Sequence, residues 1–257
     1  MLTRYHKILR GKAKPRFLAA QKSGFQKQLV KLSKAKQCPF CNKEHKPAEV
    51  KVKISVAEDP TFRNATVLWF GSRGKTKTPA QIAAQAVQKY RRGKKTLIVM
   101  GDVAHGLPLL LQILEKLSVP VAIVLAADPL YSEKVAKIFK RIVDIHALTM
   151  RWADPGCAAH FGEENYVDIV QKNVASAPSE TIVRIPLLPG HLECDAKSAL
   201  DWISKNAPDA HVQLVQAHKP RAVERAPELN RTVTITEVND VVTFAHKLSL
   251  NAETVVL

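Results

Sequence analysis

Thr66-Val67-Leu68-Trp69-Phe70-Gly71-Ser72-Arg73-Gly74-Lys75-Thr76 reads as a buried strand running into a phosphate-binding loop, with a helix beginning near Thr78-Pro79. A short apolar run closed by glycine is a strand signal, and Thr-Pro ahead of a periodic segment is a helix start. The same alternation recurs downstream. Strands are expected at 66–70, 96–100, 121–125, 142–146, 181–187 and 211–216, and helices at 79–92, 107–117, 131–140, 163–175, 195–206 and 236–247. Six β/α units in series imply an α/β fold with a parallel sheet and crossover helices, either doubly wound or an open or partial barrel.

In both architectures ligands sit at the carboxyl ends of the strands. Those ends carry Gly71 to Lys75, Gly101-Asp102 with His105, Ala127-Asp128, His146, Pro189-Gly190-His191 with Glu193, and His218-Lys219. The residues expected to touch a cofactor are therefore Gly71, Asp102, His105, Asp128, Gly190 and His191. The Gly-Lys-Thr at 74–76 imitates a nucleotide-binding P-loop, but the position that should hold the first glycine of G-x-x-x-x-G-K-[ST] is Trp69. A loop two residues short presents fewer backbone N–H groups and cannot wrap a triphosphate in the usual way. A basic, amide-rich loop holding a single phosphate is the simpler use.

Charge points the same way. The chain of 257 residues has a net charge of +16, yet residues 1 to 43 hold twelve Lys and Arg and no acid, leaving 27 basic against 23 acidic residues elsewhere. Such an arm neutralises phosphates and releases counterions. The nucleic-acid candidates are Arg4, Lys7, Arg10, Lys12, Lys14, Arg16, Lys27, Lys31, Lys34, Arg73 and Lys75. Phe25, Leu29 and Leu32 add the stripe of a short amphipathic helix among the lysines. The basic, acid-free start also has the composition of a mitochondrial transit segment. A mitochondrial matrix location is expected, with the cytoplasm as the alternative. No window approaches the roughly 20 apolar residues of a membrane span, so no membrane partner is expected.

Four cysteines in a chain of this length do not make a secreted disulfide scaffold. Cys38 and Cys41 are the candidate metal ligands, for zinc, and His45 extends them to C-x2-C-x3-H. Cys157 and His160, one helical turn apart, offer a long-range completion, and Cys194 reads as a small buried residue. No nucleophile, base and orienting acid assemble by spacing, and no catalytic residue is assigned.

From Asp144 onward the sequence resembles radical S-adenosylmethionine proteins of the pyruvate formate-lyase activating enzyme type. The residues that carry this are Val143-Asp144-Ile145, Trp152-Ala153-Asp154-Pro155, Asn165-Tyr166-Val167, the run from Val183 to Glu193 (VRIPLLPGHLE) and Pro227-Glu228-Leu229-Asn230-Arg231, with His105-Gly106-Leu107-Pro108 upstream. The resemblance implies a partial (β/α)6 barrel, a [4Fe–4S] cluster held by C-x3-C-x2-C after the first barrel strand, and S-adenosylmethionine as co-substrate. Here the matching loop reads Gly71-Ser72-Arg73-Gly74-Lys75-Thr76-Lys77 and contains no cysteine. The D-F-K-Y-like run of the family is matched by Thr149-Met150-Arg151-Trp152. The expectation is thus a catalytically degenerate protein without cofactor, serving as a structural, RNA-contacting component of a ribonucleoprotein, the mitochondrial ribosome. Its partners would be ribosomal RNA and ribonucleoprotein proteins. The alternative is an enzyme of the same descent that binds S-adenosylmethionine or a nucleotide without a cluster. Three segments are expected: a basic arm over 1–37, a cysteine-containing segment over 38–64 and the barrel domain over 65–257.

Overall fold

A computed structural model describes residues 2–22, 51–57, 61–62, 64–71, 77–161, 165–178, 180–216 and 227–256. The chain divides into two compact units, one formed by residues 2–127 and 131–146, the other by residues 128–130 and 147–257.

In the first unit α1 (Thr3–Leu9) and α2 (Arg16–Lys22) precede β1 (Lys51–Ala57), β2 (Ala65–Gly71), α3 (Pro79–Arg91), β3 (Thr96–Gly101), α4 (Val103–Lys116), β4 (Ala122–Ala127) and α5 (Glu133–Ile142). β2, β3 and β4 run parallel, and β1 pairs antiparallel with β2 from Lys51 opposite Gly71 to Ala57 opposite Ala65. Leu97, Ile98 and Val99 on β3 and Ile123, Val124 and Leu125 on β4 are all buried, as expected of strands covered on both faces. Local chemistry starts the helices. Thr78 caps α3 in a reciprocal box with Gln81, with Pro79 in the first turn, where its missing N–H costs nothing. Asp102 caps α4 and Ser132 caps α5.

The turn from β3 into α4 is closed on Phe70. Gly101 has φ +84°, and at Gly106 a Cβ would come within 2.6 Å of Phe70 Cγ, so both positions need glycine for the helix to lie against β2.

The amino-terminal residues are part of this unit. Tyr5, Ile8, Phe17 and Ala20 are buried, and the Tyr5 hydroxyl meets Thr96 Oγ1 at 2.7 Å. Asp144, itself buried, accepts the Arg16 backbone N–H on Oδ1 (2.9 Å) and the Ile123 N–H on Oδ2 (3.0 Å), with Arg4 Nε 3.9 Å away. One carboxylate thus ties α2 to the entrance of β4.

β5 (Ile145–Thr149) falls across the division between the units. The second unit continues with α6 (Pro155–His160), α7 (Tyr166–Ala175), β6 (Thr181–Pro186), a π-helical turn (Leu192–Lys197) leading into α8 (Ser198–Asn206), β7 (His211–Gln216), a 3₁₀ turn (Pro227–Asn230), α9 (Ile235–Lys247) and β8 (Ala252–Val256). β6, β7 and β8 are parallel, with Arg184, Gln213 and Glu253 in register across them. The Arg184 Nε–H donates to Gln213 Oε1 (3.0 Å), and the Gln213 amide donates to Glu253 Oε1 (2.7 Å). This polar ladder gives the buried Arg184 guanidinium and the Gln213 amide partners within the sheet.

The predicted alternation of strands and helices is present, with corrections at its edges. The fourth strand begins at Ile145 rather than Ile142, because Ile142 is the buried last residue of α5. β1, β8, α1 and α2 were not expected, whereas α6 carries Cys157 and His160 one helical turn apart as their spacing predicts. The fold is mixed α/β with mostly parallel strands. The Phe25–Leu32 stripe and the 72–76 loop lie outside the described residues. Among those described, no helix is long and apolar enough to cross a membrane.

Candidate functional site

The sequence places its cofactor candidates at the carboxyl ends of strands in both units. In the first unit, Gly71 ends β2. Asp102 caps α4, and its carboxylate takes His105 Nδ1 at 2.7 Å, both side chains being about half exposed. This pair is accounted for by helix capping. In the second unit, Asp128 binds Arg151 (2.6 Å), whose guanidinium also lies over the Tyr166 ring. Gly190 takes φ +81° in the turn after β6, which leads directly to His191.

His191 is the centre of a cluster that the sequence reading did not assemble. Its Nδ1 lies 3.7 Å from Cys157 Sγ and 3.6 Å from Cys194 Sγ, and the two sulfurs approach to 2.6 Å. Its Nε2 is held by Glu228 Oε1 at 3.1 Å. Each side chain comes from a different piece of local structure. Cys157 is on α6, started by Pro155 and capped by Asp154, which accepts the Cys157 N–H. Cys194 is on the π-helical turn, and Glu228 is on the 3₁₀ turn. The stacked rings of Trp152 and Phe161, 4.2 Å apart, both meet His191 edge-on and wall the site with apolar surface. Burial, followed by the neighbouring Cys194 thiol, pushes the Cys157 thiol up to about 12. The hydrogen bond from His191 holds the Glu228 carboxyl below its ordinary value. Next in the chain, Asp195 is buried and raised to about 7 by desolvation. Its Oδ1 accepts the Ala153 N–H, and its Oδ2 has no hydrogen-bond partner among the described residues.

His160, expected to join Cys157, instead packs its ring edge-on against Phe161. Cys194 is half-buried beside Cys157, which corrects its reading as a mere core residue. The signal was available in Gly190-His191-x2-Cys194, but its partner is 37 residues upstream. Cys38, Cys41 and His45 lie outside the described residues, as do Lys27, Lys31, Lys34, Arg73 and Lys75.

Among the described residues the donor set does not fit the cluster that the resemblance implies. No cysteine lies between residues 42 and 156, so β2 leads to no thiolate. Cys157, Cys194 and His191 converge within 4.8 Å, the ligand sphere of one ion. A four-iron cluster takes each thiolate on a different iron.

The remaining described nucleic-acid candidates fall at the opposite, amino-terminal ends of the strands of the first unit. Lys95 Nζ donates to Leu9 O (3.4 Å), joining α1 to the turn before β3. Lys7, Arg10, Lys12 and Lys14 are exposed, as are Arg91 and Arg92 at the end of α3 and Lys95 in the turn that follows. Arg4 and Arg16 are engaged internally: Arg4 donates to Lys14 O, and Arg16 donates to Lys140 O. The result is a cationic end to which residues 2–22 contribute no acid.

No family model matches the chain. It is 25% identical over 176 residues to an uncharacterized protein of Methanocaldococcus jannaschii, covering 67% of this chain and 52% of that one. The chain therefore spans about half the length of the curated relative it matches. Among solved structures, a domain of a pyruvate-formate lyase-activating enzyme from Bacteroides vulgatus superposes with a TM-score of 0.40 at 13% identity, covering 70% of this chain and 96% of that one.

Proposed function

We propose that this chain binds RNA as a component of a ribonucleoprotein, on a partial-barrel scaffold of radical S-adenosylmethionine descent that has given up cluster chemistry. The observation that carries the reading is the cationic end of the first unit. Exposed Lys7, Arg10 and Lys12 lie on and just after α1, which Lys95 joins to the turn before β3, and exposed Arg91 and Arg92 end α3, which leads into that turn. A backbone-tracking partner needs phosphate-spaced cations on a rigid support, not a pocket. The missing thiolates after β2 support the loss of the family's reaction. The mitochondrial ribosome is the assembly we propose, on the basic, acid-free composition of residues 1–43, with residues 2–22 retained as part of the folded unit.

The test is gradient sedimentation of the tagged protein from cells. It should travel with a large particle, move to the top of the gradient after RNase treatment, and do the same when Lys7, Arg10 and Lys12 are replaced by Glu. A soluble pool that RNase leaves unchanged would defeat the proposal. S-adenosylmethionine is expected to leave the melting temperature of the purified protein unchanged, and a clear rise would favour the enzyme alternative.

A further inference from the structure

We infer that Cys157, Cys194 and His191 form a zinc site, with Glu228 holding the imidazole in place and a water molecule in the fourth position. Three observations converge on this. The Sγ atoms and His191 Nδ1 face one point, all within 4.8 Å of one another. A tetrahedral zinc with bonds of about 2.3 Å to sulfur and 2.0–2.1 Å to nitrogen separates S and N by roughly 3.5 Å. His191 Nδ1 stands at 3.7 and 3.6 Å from the two sulfurs. The outer nitrogen of His191 is bound to Glu228 at 3.1 Å. A carboxylate there fixes the tautomer that leaves Nδ1 a lone pair for the metal.

The sulfurs themselves, at 2.6 Å, sit closer than the roughly 3.8 Å that a shared zinc would set and farther apart than a disulfide at about 2.05 Å. Zinc replaces both thiol protons, and mutual repulsion of the thiolates opens the pair by about 1 Å toward tetrahedral spacing. The imidazole decides between the two bonds. A disulfide needs no third ligand, yet His191 Nδ1 is shared almost equally by both sulfurs and braced from behind. The π-helical turn fits the same purpose. Its wider backbone carries Cys194 three residues after His191, and such turns concentrate at functional sites.

The chemistry selects the metal. Two thiolates and one imidazole are a soft, borderline set suited to zinc and poorly suited to magnesium or calcium, which take oxygen ligands. The bound ion would cross-link α6 to the turn after β6, and Glu228 would tie the 3₁₀ turn to the site through His191.

The test uses the full chain carrying Cys38→Ser and Cys41→Ser, so that those thiols cannot supply the signal. Zinc is replaced by Co(II), which reports thiolate ligation through intense ligand-to-metal charge-transfer absorption. The expected result is about one equivalent of Co(II) with two thiolate ligands, displaced by zinc. The signal should halve in Cys194→Ser or Cys157→Ser, and the affinity should fall about 10- to 100-fold in Glu228→Gln. Circular dichroism shows whether each variant is folded. Should a variant unfold, protection of Cys157 and Cys194 in the parent chain from alkylation by stoichiometric zinc gives the same answer. Absence of charge transfer and of zinc protection in the folded, reduced parent would overturn the inference. A Cys157–Cys194 disulfide that persists under thiol reductant would also overturn it.

Discussion

Replacing Asp144 tests whether the amino-terminal helices belong to the folded core. The carboxylate is buried and accepts two backbone N–H groups, one from Arg16 at the start of α2 and one from Ile123 on β4. Burial raises its pKa, and the two N–H donors with Arg4 and Arg16 offset this only in part. The charge itself therefore contributes little, and the cost of a substitution falls on the donors left without an acceptor. Asp144→Asn keeps one acceptor and turns an amide N–H toward the other donor, so one buried N–H is orphaned at a cost of about 1–3 kcal/mol. Asp144→Ala orphans both, for about 2–6 kcal/mol. Urea unfolding measures the loss. Limited trypsin digestion locates it, because Lys7, Arg10, Lys12 and Arg16 should be cut far faster once α1 and α2 lift from the sheet. Variants that lose less than about 0.5 kcal/mol, the scatter of ordinary surface substitutions, with unchanged cleavage would refute the idea that this carboxylate holds the helices.

His146 is buried, its Nε2 lacks a partner among the described residues, and desolvation lowers its pKa to about 3. The folded protein therefore keeps it neutral while the unfolded chain protonates near 6.5. Stability should be complete above that value and fall on acidification toward pH 3 by up to about 1.4 kcal/mol per unit. Acid unfolding of His146→Leu should lack this slope, and identical slopes in both proteins would reject the assignment. Gly106→Ala gains up to about 1 kcal/mol of helix propensity but drives a methyl into Phe70, a clash of about 1–3 kcal/mol. A net loss should appear on denaturation and be relieved by Phe70→Leu; a stabilised Gly106→Ala would contradict the packing. Gln213→Leu removes the acceptor of the Arg184 Nε–H and the amide donor to Glu253, and should cost about 2–3 kcal/mol. A neutral result would show that the polar ladder contributes nothing.

The strands from β2 to β7 were legible because each is a short apolar run closed by turn residues, and the helices between them because their apolar residues recur at helical spacing. β1 was legible in principle, since Val52, Ile54 and Val56 alternate with polar neighbours, but a seven-residue edge strand gives a weak period. α1 and α2 were hidden by charge. The lysines and arginines drew the reading of a basic arm without named helices at its start, although Tyr5 and Ile8, three residues apart, already marked a buried face. The site illustrates a different loss. Asp102 and His105 are neighbours in sequence and were found together, whereas Cys157 meets Cys194 only because α6 and the π-helical turn are brought side by side by the sheet. No local spacing carries that contact.

The most direct measurement of the central claim is the salt dependence of RNA affinity for the purified 257-residue chain, followed by fluorescence anisotropy with a labelled single-stranded RNA. A plot of log affinity against log salt should be linear, with a slope of about −0.7 per neutralised phosphate. Lys7→Glu, Arg10→Glu and Lys12→Glu together should flatten it by about 2 units. A control with reversed charges at Lys137 and Lys205, which are paired on their own helices with Glu133 and Asp201, should keep the original slope. An affinity and slope unchanged by the triple replacement, or no binding at low salt, would contradict the account.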